Sequence, residues 1–187
     1  MVNFWKGELN YRNGKTDEAI VYLQNYLKNP LKNEEVNSTN ARYNLAYCYL
    51  KNENYKSAKD QFELVYKSAN SSITDIQKDA FLRIGDCFFM AKDYKQSLSV
   101  YNEIIQNKWQ SADYALFQKA IIAGAMNKQN DKLQLLGLLE QQYPNSAILP
   151  NAQLEIANTY LAEEAFEKSL TPLHKVVNND KAIPNFK

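Results

Sequence analysis

The sequence predicts an all-α fold, an α-solenoid of about five helix–turn–helix repeats. Small residues recur at long intervals along the chain, and each is followed twelve residues later by a second small residue. The first set is Gly7, Ala46, Gly85 and Ala157, and the second set is Ala19, Ala58, Ser97 and Ser169. Large apolar residues lie around them at helical spacing, on both sides of a short polar turn. Recurrence of this kind indicates copies of one supersecondary unit.

The first three copies define the unit. The first copy has Gly7, Gly14, Ala19, Leu23 and Pro30, but it carries Lys6 and Asn10 where later copies have apolar or aromatic residues. The second copy is the clearest, with its polar turn at residues 52–54, and the third repeats it with a turn at residues 91–93. The marker residues of the second copy are Tyr43, Leu45, Ala46, Tyr49, Tyr55, Ala58, Phe62 and Val65. Those of the third are Phe81, Ile84, Gly85, Phe88, Tyr94, Ser97, Tyr101 and Ile104. Each copy therefore predicts two antiparallel helices that approach closely at the small residues.

The last two copies differ in clarity. The fifth keeps the pattern, with Ile156, Ala157, Tyr160, Phe166, Ser169, Leu173 and Val176. In the fourth copy Ile121 and Leu133 stand at the small positions and Gly124 and Gly137 at the aromatic positions, so that its register is open to a slip of one residue.

This order of large, small and aromatic residues resembles the tetratricopeptide repeat, whose signature is W-x2-L-G-x2-Y, then A-x3-F, then P. The resemblance covers essentially the whole chain, and it implies a right-handed solenoid that binds proteins without catalysing a reaction. The equivalent positions are 39, 39, 36 and 36 residues apart, whereas 34 is the norm. Units of this length, with Tyr143-Pro144-Asn145-Ser146, resemble those of bacterial envelope proteins of the Tol-Pal coordinator and outer-membrane assembly lipoprotein type. That resemblance implies a periplasmic or outer-membrane-associated protein, with a cytoplasmic location as the alternative.

The repeats are expected over residues 1–32, 36–70, 73–108, 111–144 and 147–180, as one array over residues 1–187. Residues 182–187 repeat the sequence at the start of the fifth copy, which predicts the start of a sixth repeat and a fragment of a longer array. Neither end shows a clear polar capping helix, and terminal repeats normally need one. We therefore expect an apolar end that pairs either with a neighbouring molecule, as self-association through the uncapped terminal repeats, or with a missing repeat.

Composition excludes several classes of function. The 22 basic and 21 acidic residues leave a net charge of +1, which disfavours nucleic-acid binding. Apolar runs of a few residues are far shorter than the roughly 20 residues of a membrane span. Cys48 and Cys87 occupy the same position in neighbouring repeats, about 9 Å apart in stacked helices, so we expect buried free thiols and no disulfide.

The sequence contains no recognisable catalytic or cofactor motif. His174 is the single histidine, and the acidic pairs Glu34-Glu35 and Glu163-Glu164 fit solvated turns better than acid–base chemistry. The five glycines are scattered, without a phosphate-binding cluster. We therefore expect no enzyme activity, no cofactor and no metal site.

Binding of a protein partner is the favoured function, because stacked helix pairs form a concave groove lined by the first helix of each repeat. The groove is expected to hold a peptide or a partner helix. The repeat register assigns these residues to it: Tyr11, Arg12, Tyr43, Tyr47, Lys51, Asp86, Phe89, Met90, Ile122, Met126 and Asn158. Some of them could simply pack between neighbouring helices. The alternative function is a structural spacer within a larger repeat protein, with no dedicated ligand.

One type of binding is excluded. Cochaperone repeats that clamp a C-terminal carboxylate need Lys and Asn at set positions of the first helices. Phe4, Glu8 and Asn44 occupy those positions here, and a glutamate would repel the carboxylate.

Overall fold

The computed structural model describes residues 1–31, 36–68 and 72–179 of the chain. These residues form ten α-helices and no β-strand, which confirms the all-α fold class. The predicted start of a sixth repeat at 182–187 and the pair Glu34-Glu35 lie outside the described residues. The helices are α1 (Val2–Arg12), α2 (Thr16–Leu27), α3 (Ser38–Lys51), α4 (Tyr55–Tyr66), α5 (Asp75–Met90), α6 (Tyr94–Gln106), α7 (Ala112–Ala125), α8 (Gln129–Gln142), α9 (Leu149–Ala162) and α10 (Phe166–Val177).

The chain divides into two compact units, and the division falls within α6 after Val100. In the first unit α1 pairs with α2 and α3 with α4, and each second helix also packs on the first helix of the next repeat, α2 on α3 and α4 on α5. In the second unit α7 pairs with α8, α8 packs on α9, and α9 pairs with α10. This order is that of consecutive helix–turn–helix repeats.

The predicted close approach occurs at the small residues. A β-carbon on Gly7 would lie 2.6 Å from Leu23 Cγ, so that α1 and α2 could not pack as they do with a larger residue. In the third repeat the Ser97 hydroxyl donates to the Gly85 carbonyl at 2.9 Å, which joins α6 to α5. Ala46 and Ala58 are completely buried in the second repeat.

All five turns inside the repeats have the same backbone conformation. One residue of each turn is left-handed, with φ between 57° and 75°, and these residues are Gly14, Glu53, Lys92, Asn127 and Glu164. The amide of the following residue bonds to the carbonyl five residues earlier, as in Asn54 N to Tyr49 O at 2.9 Å. This Schellman motif satisfies the last carbonyls of the first helix and reverses the chain.

The turns fix the register of the fourth repeat and correct the prediction for it. In the other repeats the small residues lie seven positions before and five positions after the left-handed residue. Counted from Asn127, these positions are Ala120 and Lys132, not Ile121 and Leu133. The repeats are therefore spaced by 39, 39, 35 and 37 residues.

A lysine at a small-residue position needs compensation, and two neighbours provide it. Lys132 is buried, and its Nζ donates to Glu155 Oε2 at 2.6 Å. Gly124 lies beside it, where a β-carbon would come within 3.0 Å of Lys132 Cδ. The side chain that disrupts the sequence pattern is thus accommodated by a glycine and neutralised by a carboxylate.

Candidate partner-binding face

The first helices of the first unit lie side by side, since α3 contacts both α1 and α5. Their polar and aromatic side chains interact across the three helices. We define the first-helix face by these residues: Glu8, Tyr11, Arg12, Tyr43, Tyr47, Lys51, Asp79, Arg83, Asp86 and Met90.

Asp79 is the centre of a hydrogen-bond network on this face. The hydroxyls of Tyr43 and Tyr47 donate to its Oδ2 at 2.7 and 2.6 Å. Arg83 donates from Nη2 to Asp79 Oδ1 at 3.2 Å and from Nε to the Tyr47 hydroxyl at 3.0 Å. Arg83 also pairs with Asp86 through Nη1 at 2.6 Å. The network fixes two aromatic rings of α3 against α5, so that their orientation is set before any ligand arrives.

The protonation states on this face follow from burial. Burial, together with the hydrogen bond to Asp79, raises the pKa of Tyr47 well above its ordinary value. Burial also raises the pKa of Tyr43, to about 12. Both hydroxyls therefore remain protonated near neutral pH and are able to donate to Asp79.

A second set of contacts joins α1 to α3. Glu8 accepts from Arg12 Nε at 2.7 Å and from the side-chain amide of Asn44. The Lys51 ammonium lies 4.5 Å from the centre of the Tyr11 ring. Glu8 thus uses the Asn44 amide that a ligand carboxylate would need, which agrees with the exclusion of carboxylate clamping.

A cleft opens at the α1 end of this face. It is bounded by Phe4, Trp5, Glu8, Arg12, Asn40, Tyr43, Asn44 and Ile76, and its volume is about 250 Å³. Trp5 and Ile76 are exposed at the cleft, whereas Phe4 is buried. The combination of aromatic and apolar walls with one carboxylate and one guanidinium is suited to a side chain of a partner protein.

Ile76 of this cleft lies at the start of α5, and Phe89 lies at the end of the same helix. Phe89 is half-buried, and its ring lies 6.0 Å from that of Tyr94. Met90 is exposed at the last position of α5, and Lys51 is exposed at the last position of α3. The predicted residues of the first three repeats are therefore all exposed or half-buried, and Tyr11, Tyr43, Tyr47 and Lys51 are joined by direct contacts.

Of the three binding residues predicted in the second unit, one prediction is wrong and the other two residues are accessible to solvent. Ile122 is only 1% exposed, because the one-residue shift of the fourth repeat turns it into the core and brings Ile121 to the half-buried position. Met126 is exposed just after α7. Asn158 is exposed and borders a cleft between α8 and α9 that Lys132 and Thr159 also line.

Sequence reasoning missed Asp79 and Arg83, although they organise the face. The sequence contains a signal for them, because the spacings from Asp79 to Arg83 and from Arg83 to Asp86 are four and three residues, and such residues share one face of a helix. Glu8, which the sequence analysis cites against carboxylate binding, also joins α1 to α3 through Asn44.

The other residues that the sequence analysis considered for chemistry lie in different parts of the chain. His174 is exposed on α10, and Glu163 and Glu164 are exposed where α9 ends. The part of the chain that the structure describes contains no cluster of three or more metal-ligating side chains. Cys48 and Cys87 are buried free thiols, as predicted. Within the same residues, every helix is too short or too polar to cross a bilayer.

Comparison with protein families identifies the repeats. Two family models, both described as Tetratricopeptide repeat, match residues 6–73 and 79–107, which together make up just over half of the chain. The chain belongs to the tetratricopeptide repeat family. This family generally mediates protein–protein interaction and is generally non-catalytic.

Several solved structures show the same fold at low sequence identity. A putative kinesin light chain protein of Podosopora anserina with TPR-like repeats is 14% identical, with a TM-score of 0.70 over 94% of this chain and 92% of that chain. BtubC (BKLC) from P. vanneervenii is 14% identical, with a TM-score of 0.73 over 91% of this chain and 75% of that one. YrrB, described as a TPR protein with an unusual peptide-binding site, is 20% identical, with a TM-score of 0.61 over 94% and 84%. No curated protein matches the chain. The finer resemblance to bacterial envelope repeats stays a prediction.

Proposed function

We propose that the chain is a protein-interaction scaffold whose first-helix face binds an extended peptide or a helix of a partner protein. The observation that carries the proposal is the prearranged set of aromatic and charged side chains across α1, α3 and α5. Tyrosine, tryptophan and arginine are the residue types that dominate binding energies at protein interfaces. Membership of a family that generally mediates protein interaction, and the unusual peptide-binding site for which YrrB is described, also support the proposal.

The charges of the face suggest what it accepts. Arg12 and Lys51 are exposed at the ends of α1 and α3, whereas Asp79 and Asp86 share the single cation Arg83 in half-buried positions. A bound segment would therefore meet cations at the helix ends and aromatic rings in the middle. A peptide with apolar residues flanked by acidic ones fits this pattern.

Selection from a random-peptide phage library on the immobilised chain tests the proposal. Binding of the selected peptides is then measured by calorimetry for the native chain and for a Lys51→Ala, Met90→Ala double variant. Both side chains are exposed, so the fold should be retained, which circular dichroism would verify. We expect affinity to fall at least about tenfold, since each contact contributes about 1 kcal/mol.

The matched control is a Lys56→Ala, Leu64→Ala double variant, which removes one exposed lysine and one exposed apolar residue from α4. Its affinity should equal that of the native chain. A library that yields no binding peptide would support the alternative function, a spacer without a dedicated ligand. An equal loss of peptide affinity in the first-helix variant and in the α4 control would contradict binding at the first-helix face.

A further inference from the structure

The last helix of the second unit has an apolar face that no described residue covers. Phe166, Leu170 and Val177 are 63%, 55% and 51% exposed. The residues at the same repeat positions in α2, α4 and α8 are all half-buried: Thr16, Ile20 and Leu27, then Tyr55, Lys59 and Tyr66, then Gln129, Leu133 and Glu140. In those repeats the next first helix packs on the second helix, as α3 does on α2.

The first helix has the complementary property. Val2 and Leu9 are 66% and 59% exposed. Their counterparts in later first helices are buried: Ala41 and Cys48 in α3, Ala80 and Cys87 in α5, and Ala152 and Thr159 in α9. Each of those three helices packs against the second helix of the preceding repeat, and α1 has no such neighbour among the described residues.

The packing of α2 on α3 shows how such faces fit together. Asn52 at the end of α3 donates from Nδ2 to Asp17 Oδ1 at 2.7 Å, at the start of α2. At the same repeat positions, Asn13 follows α1 and Glu167 lies at the start of α10. The two uncovered faces therefore carry the same amide and carboxylate pair as the internal interface.

We propose that copies of this chain associate head to tail, with α10 of one copy packing on α1 of the next as α2 packs on α3. Phe166, Leu170 and Val177 then cover Val2 and Leu9, and Asn13 donates to Glu167 of the other copy. The contact is heterologous, so two copies joined by one such contact still carry one uncovered α10 face and one uncovered α1 face. Lys6 and Asn10, which replace the apolar residues of later first helices, make this contact weaker than the internal ones.

Sedimentation equilibrium of the 187-residue chain over a range of concentrations provides the test. We expect a weight-average mass that rises with concentration above the monomer mass of 21.6 kDa. Leu170→Glu blocks the α10 face and Leu9→Glu blocks the α1 face, and both residues are exposed, so neither change should affect folding. Each variant alone should remain at the monomer mass. A mixture of the two should form a one-to-one complex of twice that mass and no larger species.

Val21→Glu is the matched control, because Val21 is an exposed apolar residue on neither of the two faces. This variant should associate as the native chain does. Four results would overturn the proposal: a native chain that stays monomeric at every concentration, association by Leu9→Glu alone through paired α10 faces, association by Leu170→Glu alone, or a mixture that stays monomeric.

Discussion

Single residues in the turns control the geometry of each repeat. Gly14 has no Cβ, whereas Glu53, Lys92, Asn127 and Glu164 adopt nearly the same left-handed conformation with a side chain present. A residue other than glycine at such a position costs about 1–2 kcal/mol. Four of the five turns thus accept this cost because the Schellman hydrogen bonds and the packing of both helices require the conformation.

A pair of glycine substitutions separates this conformational effect from packing. Nothing lies within 4 Å of a β-carbon built on Gly14 or on Gly137, but only Gly14 has positive φ. We expect Gly14→Ala to lower the free energy of unfolding by about 1 kcal/mol. Gly137→Ala, inside α8, should raise it by about 0.5–1 kcal/mol, because alanine is the better helix former. Urea titration of both variants measures these values, and a loss of stability in both would contradict the explanation.

The raised pKa values of two cysteines and two tyrosines predict that the protein loses stability in alkali. Burial raises the pKa of Cys48 to about 11 and of Cys87 to about 12, and it raises the pKa of Tyr43 to about 12 and that of Tyr47 further. The unfolded chain releases these protons near pH 9 to 10, so the folded state holds more protons and the free energy of unfolding falls as pH rises from about 9 to 12. Urea titrations between pH 8 and 11 should show this fall. A Cys48→Ala, Cys87→Ala double variant should lose less over the same range, and an equal loss would contradict the assignment.

At the level of helices, the network around Asp79 joins α3 to α5. Tyr47→Phe removes a hydrogen bond to a half-buried carboxylate, which should cost about 1.5–3 kcal/mol of stability. Tyr49→Phe is the matched control, because the Tyr49 hydroxyl accepts a solvent-exposed hydrogen bond from Gln24 Nε2 at 2.8 Å, and its loss should cost less than about 0.5 kcal/mol. Similar costs for the two variants in thermal unfolding would mean that the network is not a stabilising element.

The fourth repeat couples two helices through Gly124 and Lys132. Gly124→Ala gains helix propensity but brings a methyl group against Lys132 Cδ, whereas in a Lys132→Ala background that contact is absent. A double-mutant cycle should therefore show non-additivity, with Gly124→Ala more favourable by about 1 kcal/mol in the Lys132→Ala background. Additive effects in urea titrations would show that the glycine does not accommodate the lysine.

The sequence predicts helices well and register less well, for a physical reason. In four repeats both packing positions are small, so the helix pairs can be located from residues such as Gly7 and Ala19 alone. In the fourth repeat the second position holds Lys132, and the solution involves Gly124 in the paired helix and Glu155 in the next repeat. Such compensation acts between residues distant in sequence, and a periodic pattern does not reveal it. The shift moved Ile122 from the predicted face into the core.

The same limit applies to the candidate site. Aromatic residues of α3 were predicted from their register, because every first helix has the same positions. Asp79 and Arg83 were missed because their importance lies in contacts with Tyr43 and Tyr47, 32 to 36 residues away.

The chain as a whole combines two kinds of surface. The first-helix face is built mainly from half-buried, mutually bonded side chains, with exposed residues at the helix ends, whereas the faces of α1 and α10 carry exposed apolar residues. A nearly neutral net charge of +1 gives little long-range attraction or repulsion. Specific contacts on these surfaces, and not the overall charge, are therefore expected to decide what the chain binds.

Hydrogen exchange of the chain, with and without a saturating library-selected peptide, tests the proposed binding face most directly. Peptide binding should slow amide exchange in α3 and α5, where Tyr43, Tyr47 and Asp79 lie, and leave α4 unchanged. Protection confined to α2, α4 or α10, with α3 and α5 unaffected, would show that the first-helix face is not the binding site.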